Sequence, residues 1–179
     1  MLQRIADQVV WTDFKPQQEF ALSDAQGKDS PILCRPISLG NHFPAYVFHE
    51  RQSQLVPDEA SLGFLLQASG KRFAYLPAVS ELKSEFLELF DTCDLLLFDG
   101  TFWSDDELIR VQGSGQTARQ MGHIPVENAL VKLAEVRRPR KIFLHINNTN
   151  PILDEASPQY RQVRNAGWEV AEDGWQFNL

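Results

Sequence analysis

Three short segments carry the side chains able to do chemistry, and each sits where an apolar run ends or a helix begins. Asp99-Gly100-Thr101-Phe102-Trp103-Ser104-Asp105-Asp106-Glu107 follows directly on Leu95-Leu96-Leu97-Phe98. His145-Ile146-Asn147-Asn148-Thr149-Asn150-Pro151 follows on Ile142-Phe143-Leu144, and Met121-Gly122-His123-Ile124-Pro125 lies between the two. Carboxylates, imidazoles and amides at strand ends fall at the mouth of a layered fold, where loops converge on ligands. A neutral imidazole can offer one ring nitrogen to a metal while a carboxylate or carbonyl holds the other. Asp99, His123 and His145 thus form a candidate set of ligand and orienting groups.

The competing reading of each residue is plainer. A histidine closing a strand is more often a satisfied, partly buried imidazole, and neither His123 nor His145 has a zinc-site partner at close spacing. Asn147, Asn148 and Asn150 can serve their own loop, and Asp105, Asp106 and Glu107 read as the acidic first turn of a short helix. Trp103 suits a core or rim position as well as a substrate platform. His42 and His49 have no acidic neighbour and receive no role, and Gly113-Ser114-Gly115 reads as a flexible connection.

The elements that position these residues divide the chain in two. Residues 1–79 read as short strands over Val9–Trp11, Glu19–Leu22, Ile32–Leu39, Tyr46–His49, Leu62–Gln67 and Arg72–Leu76, with a tight turn at Ser69-Gly70. From residue 80 helices alternate with strands. Ser80 reads as an N-cap for a helix whose face is Leu82, Phe86, Leu89 and Phe90. A helix follows over Val126–Ala134 and a strand over Lys141–Ile146, then a helix capped by Ser157-Pro158 and stopped by Gly167. Asp173-Gly174 predicts a final hairpin between Trp168–Ala171 and Trp175–Asn178. The whole reads as one domain over residues 1–179 without a linker, an α/β chain with a sheet layer against a helical layer.

Composition narrows the partners. With 179 residues, 43% hydrophobic and 23% charged, the chain can bury a core and is not of disordered type. A net charge of −7 disfavours nucleic acid and anionic membranes, and no apolar run approaches a membrane span. Two distant cysteines, Cys34 and Cys93, suit a reduced cytoplasmic setting.

The long His-Ile-Asn-Asn-Thr-Asn-Pro run, with Asp-Gly-Thr-Phe-Trp, Met-Gly-His-Ile-Pro and the terminal Ala166-Gly167-Trp168-Glu169-Val170-Ala171, resembles the coenzyme PQQ biosynthesis protein B (PqqB) family. More remotely, the succession looks like the C-terminal half of the metallo-β-lactamase superfamily. The resemblance implies an αββα sandwich with mixed sheets and outer helices, of which this chain is the C-terminal portion, and a site between the upper edges of two sheets. It also implies a role in making pyrroloquinoline quinone (PQQ) as a metal-dependent oxidoreductase that hydroxylates the tyrosine-derived precursor. Carried over by motif, His145 matches a metal ligand, His123 a proton-transfer histidine and Asp99 the acid that holds it. Asn147, Asn148 and Trp103 become candidate substrate contacts, and the metal is a divalent ion, iron or zinc.

The early His-x-His-x-Asp-His signature of the superfamily has no counterpart here, and Ala78 stands where a metal-bridging acid is usual. The ligand set is therefore incomplete in this chain, since non-haem iron takes about three protein ligands. Completion would come from a missing N-terminal half or a second copy, and apolar sheet surface is expected where that half would pack. The alternative reading is non-catalytic: binding or transport of PQQ or its precursor toward the periplasm.

Overall fold

The computed structural model describes residues 14–24, 26–43, 59–176 and 178. Its strands are β1 (Phe20–Ser23), β2 (Asp29–Gly40), β3 (Ser61–Ala68), β4 (Lys71–Leu76), β5 (Leu95–Asp99), β6 (Arg140–Leu144) and β7 (Trp168–Val170). They form one seven-stranded sheet in sequence order. The first four strands pair antiparallel and the last three join in parallel. That change follows from the connections. Ser69 and Gly70 both take positive φ (51° and 76°), the twist a two-residue hairpin needs, whereas each later crossover spends a helix.

The helices are α1 (Ser84–Asp91), α2 (Glu107–Gln112), α3 (Val126–Lys132) and α4 (Pro158–Asn165). Alternation along the strands sends Ile37, Leu39, Leu65, Ala74, Leu76, Leu96, Phe98 and Phe143 to one face. There they share a core with Phe86 and Phe90 of α1, Val126, Ala129 and Leu130 of α3, and Val163 of α4. The α/β class and the helix-covered mixed sheet are those expected. The opposite face presents Cys34, Phe64, Leu66, Phe73 and Tyr75 along an open, mainly aromatic groove of about 800 Å³.

Three local expectations change. Ser80 does not cap α1, which starts at Ser84 after Lys83 with no side-chain cap. Its hydroxyl instead donates to the Leu39 carbonyl (3.1 Å), in space that exists only because residue 40 is glycine. No second strand follows Asp173-Gly174 among the described residues. β7 instead pairs with β6, drawn there by the Trp168 ring stacked on Phe143 (4.2 Å, 14°), while Trp175 lies under the Arg140 guanidinium. β6 stops at Leu144, so His145 and Ile146 belong to the loop. Ser157 caps α4 as expected, accepting from Tyr160 N–H (2.9 Å) with Pro158 at the first helical position. The strands predicted at Val9–Trp11 and Tyr46–His49 lie outside the described residues.

Candidate functional site

Asp99 ends β5 one residue beyond Phe98, so alternation turns its side chain to the face opposite the Phe98 ring. It is wholly buried, and its carboxylate is almost fully occupied. Oδ2 accepts from Val79 N–H (3.0 Å) and pairs with His123 Nδ1 (2.8 Å). Oδ1 accepts from Thr101 N–H (3.1 Å) and from the Thr101 hydroxyl (2.6 Å).

His123 is brought there by a short 3₁₀ turn, Arg119–Met121, closed by Gly122 at φ 85°. Residue 122 must be glycine twice over. The backbone is left-handed, and a Cβ would lie 2.5 Å from Cδ2 of His42, whose ring packs on it. The turn is pinned by Ile124 N–H on the Val79 carbonyl (2.6 Å), which ties the end of β4 to the His123 loop.

His145 is placed by the exit of β6. Gly100 lies flat against that strand, donating to the Leu144 carbonyl (2.7 Å), and an added Cβ would meet Leu144 O and Phe143 Cβ at 3.0 Å. His145 then takes a left-handed φ of 56°, unusual for a residue with a side chain and a common mark of functional sites. Its Nδ1 is 3.8 Å from Asp99 Oδ1, too far for a direct hydrogen bond, but 3.0 Å from the Thr101 hydroxyl. Thr101 therefore bridges the pair: its O–H donates to Asp99 while its oxygen accepts from the imidazole. Both histidines turn Nδ1 to the Asp99–Thr101 couple, which favours the Nδ1–H tautomer in each and leaves the Nε2 lone pair of each available.

Burial by itself would raise the Asp99 pKa, but the hydrogen bond from His123, the nearby His145 imidazole, the charge of His123 and the Thr101 hydroxyl together overcome it. The carboxyl is held below its ordinary 3.8. Asp99 in turn lifts His145 above its ordinary 6.5, against partial burial, with the Pro77 carbonyl adding to the effect. Stability from Asp99 is complete above 3.8 and is lost as pH falls through its lower folded value. Stability from His145 is complete below 6.5 and is lost as pH rises through its raised folded value. These two groups together predict a plateau between those limits, read as urea midpoints at stepped pH. Asp99→Asn should flatten both flanks.

Asp99, His123 and His145 have potential donor atoms within 4.8 Å of one another. Asp99 has no open approach, so it stands behind the imidazoles as their orienting carboxylate. The outward group is His145, whose side chain is 53% exposed. With Asn148 it lines a groove of about 540 Å³ bordered by Glu172 and Asp173. The other sequence candidates are spread out. Asn147 spends its amide on the Thr149 hydroxyl (2.6 Å). Trp103 belongs to the core and lines a separate groove with Glu107 and Thr149. The residue that motif reading left without a role is Thr101. Its place two positions after Asp99 hints at a local turn bond, but not at the histidines 22 and 44 residues away.

Residues 2–146 match the family model described as β-lactamase superfamily domain. The chain belongs to the β-lactamase superfamily. Within it, the chain is 34% identical over 191 residues to coenzyme PQQ synthesis protein B of Gluconobacter oxydans (strain 621H), aligning 99% of this chain with 62% of that protein. The crystal structure of zinc-bound PqqB from Methylobacterium extorquens superposes with a TM-score of 0.80 at 29% identity, covering 93% of this chain and 55% of that one. The metallo-β-lactamase fold protein YhfI of Bacillus subtilis shares the fold alone, with a TM-score of 0.60 at 12% identity over 97% of this chain and 60% of its own. The chain thus spans between half and two thirds of the length of these relatives. Among the described residues, no helix is long and apolar enough to cross a membrane.

Proposed function

We propose that this chain acts in PQQ biosynthesis as the C-terminal part of a metal-dependent oxidoreductase working on the tyrosine-derived precursor. One observation carries the reading: a half-exposed imidazole at a strand end, backed through Thr101 by a buried carboxylate, at the edge of an open groove. That is the carboxylate–histidine arrangement of metal sites, and the donor chemistry fits a divalent ion, iron or zinc. The zinc-bound relative supports it. His145 is the ligand this chain supplies, through Nε2. A metal held there would act as a Lewis acid and, if iron, as the redox centre.

The remaining roles belong to the chain itself. Asp99 keeps the His145 proton on Nδ1, and the Thr101 hydroxyl fixes the ring plane. His123, one-tenth exposed and held by Asp99 through Nδ1–H, can take up a proton at its free Nε2 and return it there. Asn148, beside His145, is the amide best placed to hydrogen-bond a polar substrate group. One imidazole does not retain an ion unaided. Titration of the isolated chain with Zn(II) is therefore expected to show weak, substoichiometric uptake that disappears in His145→Ala. Tight one-to-one binding that persists in His145→Ala would overturn the assignment.

A further inference from the structure

We propose that Glu107 is a positioning residue for the His145 imidazole, acting through a buried link between the two strand-end loops. Glu107 opens α2, where an acidic side chain would ordinarily face solvent, yet it is only 4% exposed. No cationic side chain lies within ion-pair distance of it among the described residues. Its carboxylate accepts two short hydrogen bonds instead. Oε2 takes the Trp103 N–H (2.6 Å) and Oε1 takes the Thr149 hydroxyl (2.5 Å). Trp103 follows Thr101 by two residues, and Thr149 follows His145 by four. A single carboxylate thus clamps the loop carrying Thr101 to the loop carrying His145.

The link continues toward the site. Thr149 accepts from the Asn147 amide (2.6 Å), and Asn147 N–H donates to the Thr101 carbonyl (3.0 Å). The bond from the Thr101 hydroxyl to His145 Nδ1 depends on the relative register of these loops. Neutral ties join the same loops, from the Asn150 amide to the Gly100 and Thr101 carbonyls (2.8 and 3.4 Å) and between the Thr101 hydroxyl and the His145 carbonyl (3.0 Å), and Glu107 adds the one carboxylate among them. A buried charge is a costly way to join two loops when an amide would serve. Its return is that charge-assisted hydrogen bonds are roughly twice as strong as neutral ones. His145, in a left-handed conformation that loop slack would relax, is the residue with most to lose.

The inference concerns the metal-free chain and stands apart from the metal reading. Long-range proton–nitrogen NMR of the imidazoles, recorded without metal, reports the tautomer of each ring. In the native chain His123 and His145 should both show Nδ1–H. In Thr149→Val and in Glu107→Gln the His145 pattern should become an average of both tautomers. His123, held directly by Asp99, should keep its own, and Thr149→Ser should restore the native spectrum. An unchanged His145 pattern in folded Thr149→Val and Glu107→Gln would overturn the proposal. So would both rings changing together, which would mark general loosening.

Discussion

Asp99→Ala is expected to destabilise the chain by about 3–5 kcal/mol, as expected when one partner of a buried charged pair is removed. The substitution strands the Val79 and Thr101 N–H groups and the His123 Nδ1 proton in a site with no water access of its own. Asp99→Asn keeps the volume and one acceptor, and should cost less, about 1–3 kcal/mol. Urea unfolding followed by circular dichroism measures both. In Asp99→Asn the His145 pKa should also fall back toward its ordinary value, because the interaction that lifts it loses its charge. A loss below about 1 kcal/mol for the alanine variant would mean that this carboxylate is solvated and cannot orient either imidazole.

Trp168→Ala is the second large effect, again about 3–5 kcal/mol, here from a cavity left in the core. Trp168 is 1% exposed, stacks on Phe143 and meets Phe98 edge-on at 6.0 Å. These two phenylalanines immediately precede the chemistry: Phe98 is next to Asp99, and Phe143 stands two residues before His145. The aromatic triad therefore packs β5, β6 and β7 together at the level where the site begins. Thermal unfolding should show the loss, and Trp168→Phe should recover most of it by keeping a stacked ring. Preservation of native stability in Trp168→Ala would show that β7 is an accessory strand with no hold on β6.

The same residues show which features were legible from local pattern. Leu95–Phe98 and Ile142–Leu144 read as buried strands because an uninterrupted apolar run of that length leaves no solvated face. Ser157-Pro158 read as a helix start because the cap bond and the fixed proline φ involve neighbours only. Ser80 did not cap its helix, and no second strand follows Asp173-Gly174 among the described residues, for the matching reason. Each had suitable local chemistry, but a nonlocal partner made the stronger offer: the Leu39 carbonyl for Ser80, and Phe143 beneath Trp168 for the last strand. Propensity sets what a segment can do, and burial decides among the options.

For the site, residue types and order alone were enough to pick out Asp99, His123 and His145, and the rarity of the motif run was enough to indicate the superfamily. Folding decided how those groups relate. It buried Asp99 completely behind the imidazoles, and left His145 outermost by ending β6 at Leu144, two residues short of the expected strand end. It put the Thr101 hydroxyl between them and drew Glu107 inward from a helix turn that composition assigns to solvent. The physical reason is that a polar side chain's role is set by the donors and acceptors around it when water is excluded. For these residues, those partners stand up to 44 positions away along the chain.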